Sequence, residues 1–509
     1  MIKSIYPLLG GLFLSVSAMA QSAEQALLFS NQQPSGTART QALGGVSVGL
    51  GGDFSSAFTN PAGIGIFKTG EFLISGGVAT SKTTSSYLPM VDPRDVKGSK
   101  SNFQLPNIGV VFVTNTNSGA HTWNNFSFAL GMNRSANFNN QINIGGVTDY
   151  TSYSEPWREE TESSSYNPDY GSIGSALAWN QALVVEDNGK WISLAMPTGA
   201  GGVMESIYQR ATVDTKGGIN DYVFSFGTNY GDRLYLGVSL NLPSITYKET
   251  LSVSEDDNTG NQNNDFGYFD YKQYTTINGL GFSGTLGILY KVTDRFRLGG
   301  SLRLPTLYSM SIATSADLTS NTEGWKGQQS SSGAGEDYSY NMTAPLRASA
   351  GASYFFGNMQ DPDAVTGFLA ADYEYVNHSS SKYRFEEVDK GLEGGVNRVI
   401  GDLYKAASNF KVGAEVKFAR IFAARGGFAM YGNPYSNDSY NMGIDASRKT
   451  YSGGLGVRTK GIYFDLTYSY TQGKDYYQLY STSDANTYPP AALLDFKRSN
   501  IMGTVGFKF

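Results

Sequence analysis

The chain has 509 residues, no cysteine and a formal net charge of -6; 16% of residues are charged, 13% are aromatic and 61 are glycine. The absent cysteine excludes a disulfide framework, a thiolate-ligated metal and lipidation at a new N-terminal cysteine. The mild charge comes without the basic clusters that nucleic-acid binding needs. Charged residues fall below the share of about 25% usual in soluble domains. After the N-terminus no run reaches the length of about 20 apolar residues that a helical membrane span requires. Many aromatics and glycines with few charges fit strands that show lipid on one face and water on the other.

The first element predicted is an export signal. Lys3 precedes an apolar run from Ile5 to Val16, which ends in Ala18-Met19-Ala20-Gln21. A positive start, a short apolar stretch and a small-x-small site predict cleavage after Ala20, with residues 1–20 as signal peptide. Residues 21–69 do not alternate cleanly. They hold a glycine-rich stretch with Gly44 and Gly45, then Asp53, then Phe58-Thr59-Asn60-Pro61-Ala62-Gly63. This is far more chain than a barrel needs before its first strand, so a compact segment that plugs a wide bore is one reading. A plain turn at Asn60-Pro61-Ala62 is the other.

From residue 70 to 509 the period-two signal repeats. Leu234, Leu236, Val238, Leu240 and Leu242 alternate with Tyr235, Gly237, Ser239 and Asn241. Phe126, Phe128, Leu130 and Met132 alternate with Ser127, Ala129, Gly131 and Asn133, and Ile462, Phe464, Leu466 and Tyr468 with Tyr463, Asp465 and Thr467. In a sandwich the apolar face is the core; in a membrane barrel it meets lipid. Three further features favour the barrel. Tight turns such as Tyr230-Gly231-Asp232-Arg233, Thr293-Asp294 and Arg420 alternate with long polar connections at 135–218, 251–272, 313–338, 377–407 and 432–450. The strand count comes to about fourteen, an even number within the outer-membrane range. The final strand ends on an aromatic, with Ile501, Gly503, Val505, Phe507 and Phe509 on one face. Such an end is similar to the signal read by the barrel-assembly machinery, which makes that machinery an expected partner through Phe509. The fold class is therefore all-β: a transmembrane antiparallel barrel, multi-pass in a bacterial outer membrane and in contact with lipid and lipopolysaccharide.

The stretch from Gly36-Thr37-Ala38-Arg39 to Asn60-Pro61-Ala62-Gly63 resembles the N-terminal hatch of the FadL family of outer-membrane transporters, in which an Asn-Pro-Ala motif is the most recognisable segment. Weaker matches follow at Asn229-Tyr230-Gly231-Asp232, Ala371-Asp372-Tyr373-Glu374-Tyr375-Val376 and Arg425-Gly426-Gly427-Phe428. The resemblance implies passive uptake of a hydrophobic small molecule, classically a long-chain fatty acid. The ligand would enter an apolar pocket near the outer mouth, gated by a hatch at 21–69 with Asn60, Pro61, Ala62, Gly44 and Gly45 as its working residues. Exit would be sideways through a gap in the wall. No phosphate loop supplies energy.

For binding, the outer aromatics Trp179, Phe266 and Phe269, with Trp157, Tyr166, Tyr170 and Trp191, read either as a hydrophobic capture surface or as an interfacial girdle. Segment 174–185 reads as a short helix that caps the pocket. Inward Arg297, Arg303 and Arg347 either greet a carboxylate or form interior ion pairs. The only histidines, His121 and His378, fall at opposite ends, so no metal site, cofactor or catalytic residue is expected. Neighbouring Ser379, Ser380 and Ser381 do not make a triad with His378. The acidic stretch Glu255-Asp256-Asp257 lacks calcium-loop spacing. A PorV-like shuttle for secretion cargo shares the same barrel and is the alternative function. A general porin needs an open lumen, which a plug denies.

Overall fold

The structure, a computed structural model, describes residues 23–31, 34–88, 90, 92–93, 95–116, 122–162, 172–197, 204–335, 337–358, 361, 364–385, 390–419, 421–436, 443–482 and 490–509. The predicted signal peptide, His121, Tyr166, Tyr170 and the Arg420 turn lie outside the described residues.

Fourteen strands close one antiparallel barrel. They are β1 (Glu71–Leu88), β2 (Asp95–Asn115), β3 (Trp123–Asn137, resumed at Asn140–Thr148), β4 (Ile207–Tyr230), β5 (Leu234–Asp257), β6 (Tyr268–Lys291) and β7 (Phe296–Arg303, resumed at Thr306–Asn321). There follow β8 (Tyr338–Ala344, resumed at Arg347–Phe356), β9 (Thr366–Asn377, resumed at Lys382–Phe385), β10 (Ala406–Phe418), β11 (Phe422–Tyr431), β12 (Arg448–Arg458), β13 (Ile462–Gln478) and β14 (Ala491–Lys508). β14 closes on β1 in unbroken register from Glu71↔Lys508 to Leu88↔Ala491. Closure of the last strand on the first pairs the backbone groups along the ladders without water.

Burial gives the sense of the alternation. Leu236, Val238 and Leu242 of β5 are exposed on the outside, while Ser239 and Asn241 are buried inside. Phe224, Leu286, Leu455 and Leu466 are exposed in the same way, whereas Asp221, Thr285, Asp465 and Thr467 are buried. Apolar out and polar in is the reverse of a soluble barrel, and the outer belt is covered by lipid. Among the described residues no helix is long and apolar enough to cross a membrane.

The N-terminal segment lies within the bore. It forms helix α1 over residues 23–30, α2 (Ala38–Ala42), α3 (Ser56–Thr59) and a 3-10 turn at Pro61–Ile66. Thr37 caps α2 by accepting from the Thr40 amide, and Asn60 caps the 3-10 turn with Pro61 in its first turn. Proline suits that position because its missing N–H has no partner to lose there.

Above the lipid belt the long connections are shorter than predicted. Residues 140–148 and 207–218 belong to β3 and β4, 251–257 and 268–272 to β5 and β6, and 313–321 to β7. There the alternation persists with its sense swapped: Leu251 and Val253 are buried inward while Ser252 and Ser254 lie at the outer surface. The outer face meets water at that height, and the inner face packs under a folded cap. The cap carries α4 (Glu155–Glu162), α5 (Ile173–Asn180) and a small hairpin, Val184–Asp187 with Lys190–Ser193. Trp157, Leu177, Leu183, Phe266, Phe269 and Tyr480 share its core. Glu255 anchors it from below, accepting from the Ser152 hydroxyl at 2.5 Å and the Tyr153 amide at 2.7 Å. A further helix, α6 (Lys390–Leu403), joins β9 to β10 and packs with α1 in a second cluster.

Candidate functional site

The polar inner wall holds the N-terminal segment by its backbone. Thr504 on β14 accepts from the Ala38 amide at 2.8 Å, and Asp372 on β9 accepts from the Ser47 and Val48 amides at 2.7 and 2.9 Å. Ser239 and Ser353 donate to the Ala57 and Gly49 carbonyls, both at 2.7 Å. Charge adds one lock. Glu415 on β10 meets Arg39 of α2 at 3.0 Å, Lys417 at 3.1 Å and Arg425 at 2.5 Å, and Arg425 passes on to Asp465 at 2.6 Å.

Glycines on the wall let the segment come this close. A Cβ added at Gly237 would sit 2.2 Å from the Pro61 carbonyl carbon, at Gly287 2.1 Å from Asn60 Oδ1, and at Gly299 2.0 Å from the Val48 oxygen. On the segment itself Gly44 takes φ +70°, and its own Cβ would strike Phe428. Asn60 is fully buried. Its Oδ1 accepts from the Ala62 amide at 3.2 Å, and its Nδ2 donates to Val48 O at 2.7 Å and to Ile288 O on β6 at 3.1 Å. The Asn-Pro-Ala turn is thus the knot that joins two loops of the segment to the wall.

Beside α1 the bore keeps a cavity of about 520 Å³. This is within the range of roughly 300–1,000 Å³ typical of small-molecule sites. Leu27 and Leu28 of α1, Phe138, Ile142, Tyr247 and Phe496 supply apolar surface. Arg134 and Arg448 supply positive charge. Arg134 donates to Gly217 O at 2.6 Å, and Arg448 donates to the Asn31 side chain and stacks 5.3 Å over Tyr431. Among the described residues neither forms an ion pair with a carboxylate. On another side Glu24 of α1 faces Asp475 and Glu249. Burial, then those two carboxylates, push its pKa up to about 8.

The cavity reaches a break in the wall. The β2–β3 ladder runs from Asn115↔Asn125 to Asn107↔Asn133 and stops. Residues 95–104 of β2 then pair with β1 alone, past a register shift opposite Gly76. Pro106, which has no N–H to give to a ladder, sits at the stop and lines the cavity. Beyond it, side chains replace the ladder: Asn137 of β3 donates to Asn102 and Gln104 of β2, each at 3.2 Å.

Of the six side chains expected to bind ligand, Arg303 and Arg347 line a narrow pocket beside the cavity, which shares Asn31, Ser135 and Ala136 with it, and the other four lie outside both. Arg297 donates to Leu50 O at 3.0 Å and stacks 4.2 Å over Phe355, so it grips the N-terminal segment. Arg303 pairs with Asp221 at 3.2 Å, and Arg347 with Glu374 at 3.1 Å while holding Ser30 O. The arginines point inward as expected, but into ion pairs and backbone contacts. Phe266 and Phe269 are buried in the cap core, and Trp179 is half-exposed with its ring 4.8 Å from Trp191. None of these lines the cavity. Sequence reasoning missed Arg134, which lies just past the alternating run Phe126 to Asn133 on β3, and Arg448, whose strand was not read for its alternation; it also missed the break, although Pro106 within a strand pattern signals one.

No protein-family model matches the chain, and no curated protein matches it in sequence. Its likeness is to solved structures. A Pseudomonas aeruginosa FadL homologue superposes with a TM-score of 0.56 at 12% identity, covering 94% of this chain and 99% of that one. The chain folds as a FadL-type barrel. Two mutants of the TodX monoaromatic hydrocarbon channel agree: the deltaS2S3 mutant with a TM-score of 0.52 at 12% identity over 94% of this chain and 100% of that one, and the deltaS2 mutant with 0.51 at 11% over 93% and 98%. The FadL-type barrel therefore accounts for nearly the whole chain. With its lipid-facing belt, it is a multi-pass barrel of the kind that crosses a bacterial outer membrane.

Proposed function

We propose that this barrel takes up hydrophobic molecules with an anionic head, of the long-chain fatty-acid class, by passive diffusion through the outer membrane. The observation that carries the reading is the cavity. It joins apolar surface from α1 and the wall to two arginines that pair with no carboxylate among the described residues, and it extends to the break between β2 and β3. A ligand that leaves water gains about 0.8 kcal/mol for each buried methylene. Its head meets charge already in place, which suits a carboxylate. Residues 21–69 act as the hatch: with the bore filled by backbone contacts, the direct route to the periplasm is closed, and the ligand leaves sideways through the break into the membrane.

The resemblance to monoaromatic hydrocarbon channels supports a second reading, a neutral aromatic ligand. The cargo-shuttle alternative draws support from the folded cap at the outer mouth, but it gives no role to an interior cavity.

The test is displacement of a fluorescent fatty acid from the purified barrel by oleate and by toluene. Oleate is expected to displace it at micromolar concentration. Arg134→Leu with Arg448→Leu is expected to weaken oleate about tenfold and leave toluene unchanged, the size of one lost charge-assisted contact. Displacement by toluene alone would assign the neutral ligand. Displacement by neither, with capture of exported proteins, would sink the uptake reading and promote the shuttle.

A further inference from the structure

We infer that a relay of amide side chains couples the seat of the N-terminal segment to the break between β2 and β3. The inference rests on the uptake reading for its purpose but on hydrogen bonds for its content. Asn137 Nδ2 on β3 donates to Gln104 Oε1 on β2 at 3.2 Å. Gln104 Nε2 donates to Asn500 Oδ1 on β14 at 3.1 Å. Asn500 Nδ2 donates to Gln41 Oε1 of α2 at 2.9 Å, and Gln41 Nε2 ends on the Gly36 carbonyl at 3.4 Å.

The direction of this relay is uniform. Each amide in its middle accepts through oxygen from the preceding group and donates through nitrogen to the next. Chains of this kind polarise one another, so the links strengthen or weaken together. The path runs from β2 to β14 across β1, and it can do so because β1 places Ala79 between them: Ala79 pairs with Asn102 on one side and Asn500 on the other. Gln41, Ala79, Gln104, Asn137 and Asn500 all line the cavity. Any ligand that moves from the cavity to the break passes along the relay.

Its position matters because of what is missing beside it. Elsewhere neighbouring strands are tied by backbone ladders, which a single side chain does not control. Next to Pro106 the tie is Asn137 to Asn102 and Gln104, with Lys100 to Asp214 and Asn143 to the Lys97 carbonyl farther out; Gln104 is oriented by Asn500, which is oriented by the segment. When Gln41 withdraws with α2, Asn500 loses its acceptor, Gln104 loses its fixed orientation, and the tie across the break loosens. A shift of the segment is in this way converted into a wider break with no change in any ladder.

The chain has no cysteine of its own, so a labelled pair is unambiguous. Phe103→Cys on β2 and Leu242→Cys on β5, two strands beyond β3, both face outward on opposite sides of the break; the distance between spin labels there follows its width in the full-length barrel. The distance distribution is measured without ligand for the labelled parent, Gln41→Leu, Asn500→Leu and the double variant. Each single variant is expected to raise the wide population about fivefold, the shift that loss of one net hydrogen bond brings. The double variant is expected to add nothing, because both cut one path. Should Asn500→Leu fail to fold, Gln104→Leu cuts the same path at the next link. Distributions that match the parent in every variant, or effects of Gln41→Leu and Asn500→Leu that simply add, would overturn the relay. Failure of the uptake reading looks different: the parent accumulates no oleate in cells, whatever the labels report.

Discussion

At the scale of single residues, Asn60 shows what a short motif encodes. Its amide donates twice and accepts once in a fully buried place, so both ends of the side chain are needed. Asn60→Asp keeps the shape but turns a donor toward two carbonyl oxygens into a carboxylate. Leaving such buried groups unpaired costs about 1–3 kcal/mol each, more where a charge is involved. The variant is expected to loosen the N-terminal segment while the barrel still assembles, read as faster hydrogen exchange in residues 34–67 with unchanged exchange in β5 and β6. The motif itself was legible in the sequence; its meaning was not, because the partners Val48 and Ile288 are backbone groups and no side-chain pattern marks them. The arginines fared similarly. Their inward direction follows from alternation, but which of them meets a carboxylate depends on Asp221 and Glu374, which sit on other strands.

At the scale of elements, the strands were legible wherever lipid covers one side. There the contrast between faces is imposed by the membrane and cannot fade without cost. Phe224, exposed on the outer face of β4, sits six residues from the tight turn after Tyr230, near mid-membrane. Phe224→Arg is expected to destabilise the barrel by about 2–4 kcal/mol in a refolding titration, whereas Ser254→Arg, beyond the belt on β5, is expected to change little. Above the belt the faces exchange character, which is why the outer halves of β3 to β7 read as loops. Helix α1 carries its own dependence on pH. Its Glu24 has a pKa raised from 4.5 to about 8 by burial and by Asp475 and Glu249. A carboxyl raised in the seated helix favours seating when protonated. That contribution is full below about pH 4.5 and is lost as pH rises through about 8. Hydrogen exchange over residues 23–31, corrected for its intrinsic pH dependence, should therefore accelerate between pH 6 and pH 9. Glu24→Gln should flatten the profile; a profile as steep as the parent's would count against this origin.

At the scale of the whole molecule, the barrel, its strand number and the filling of its bore were all foreshadowed by alternation, connection lengths and surplus N-terminal chain. The site was not. A cavity bounded by α1, β1 to β8 and β12 to β14 gathers residues from both ends of the sequence, and no local pattern records that they will meet. Spacing along the chain cannot reveal that Gln41 and Asn500 touch, since closure of β14 on β1 is what brings them together.

That closure has a consequence for biogenesis. The N-terminal segment leaves the ribosome first, yet several of its contacts are with the last strands made: Ala38 with Thr467 and Thr504, Gln41 with Asn500. A folded segment cannot be threaded into a finished cylinder whose wall already grips it on every side. The seam is therefore expected to seal around an occupant already in place, like a bottle blown around its ship. On that order of events the segment would serve as a template for completing the cylinder, a role separate from the hatch proposed above.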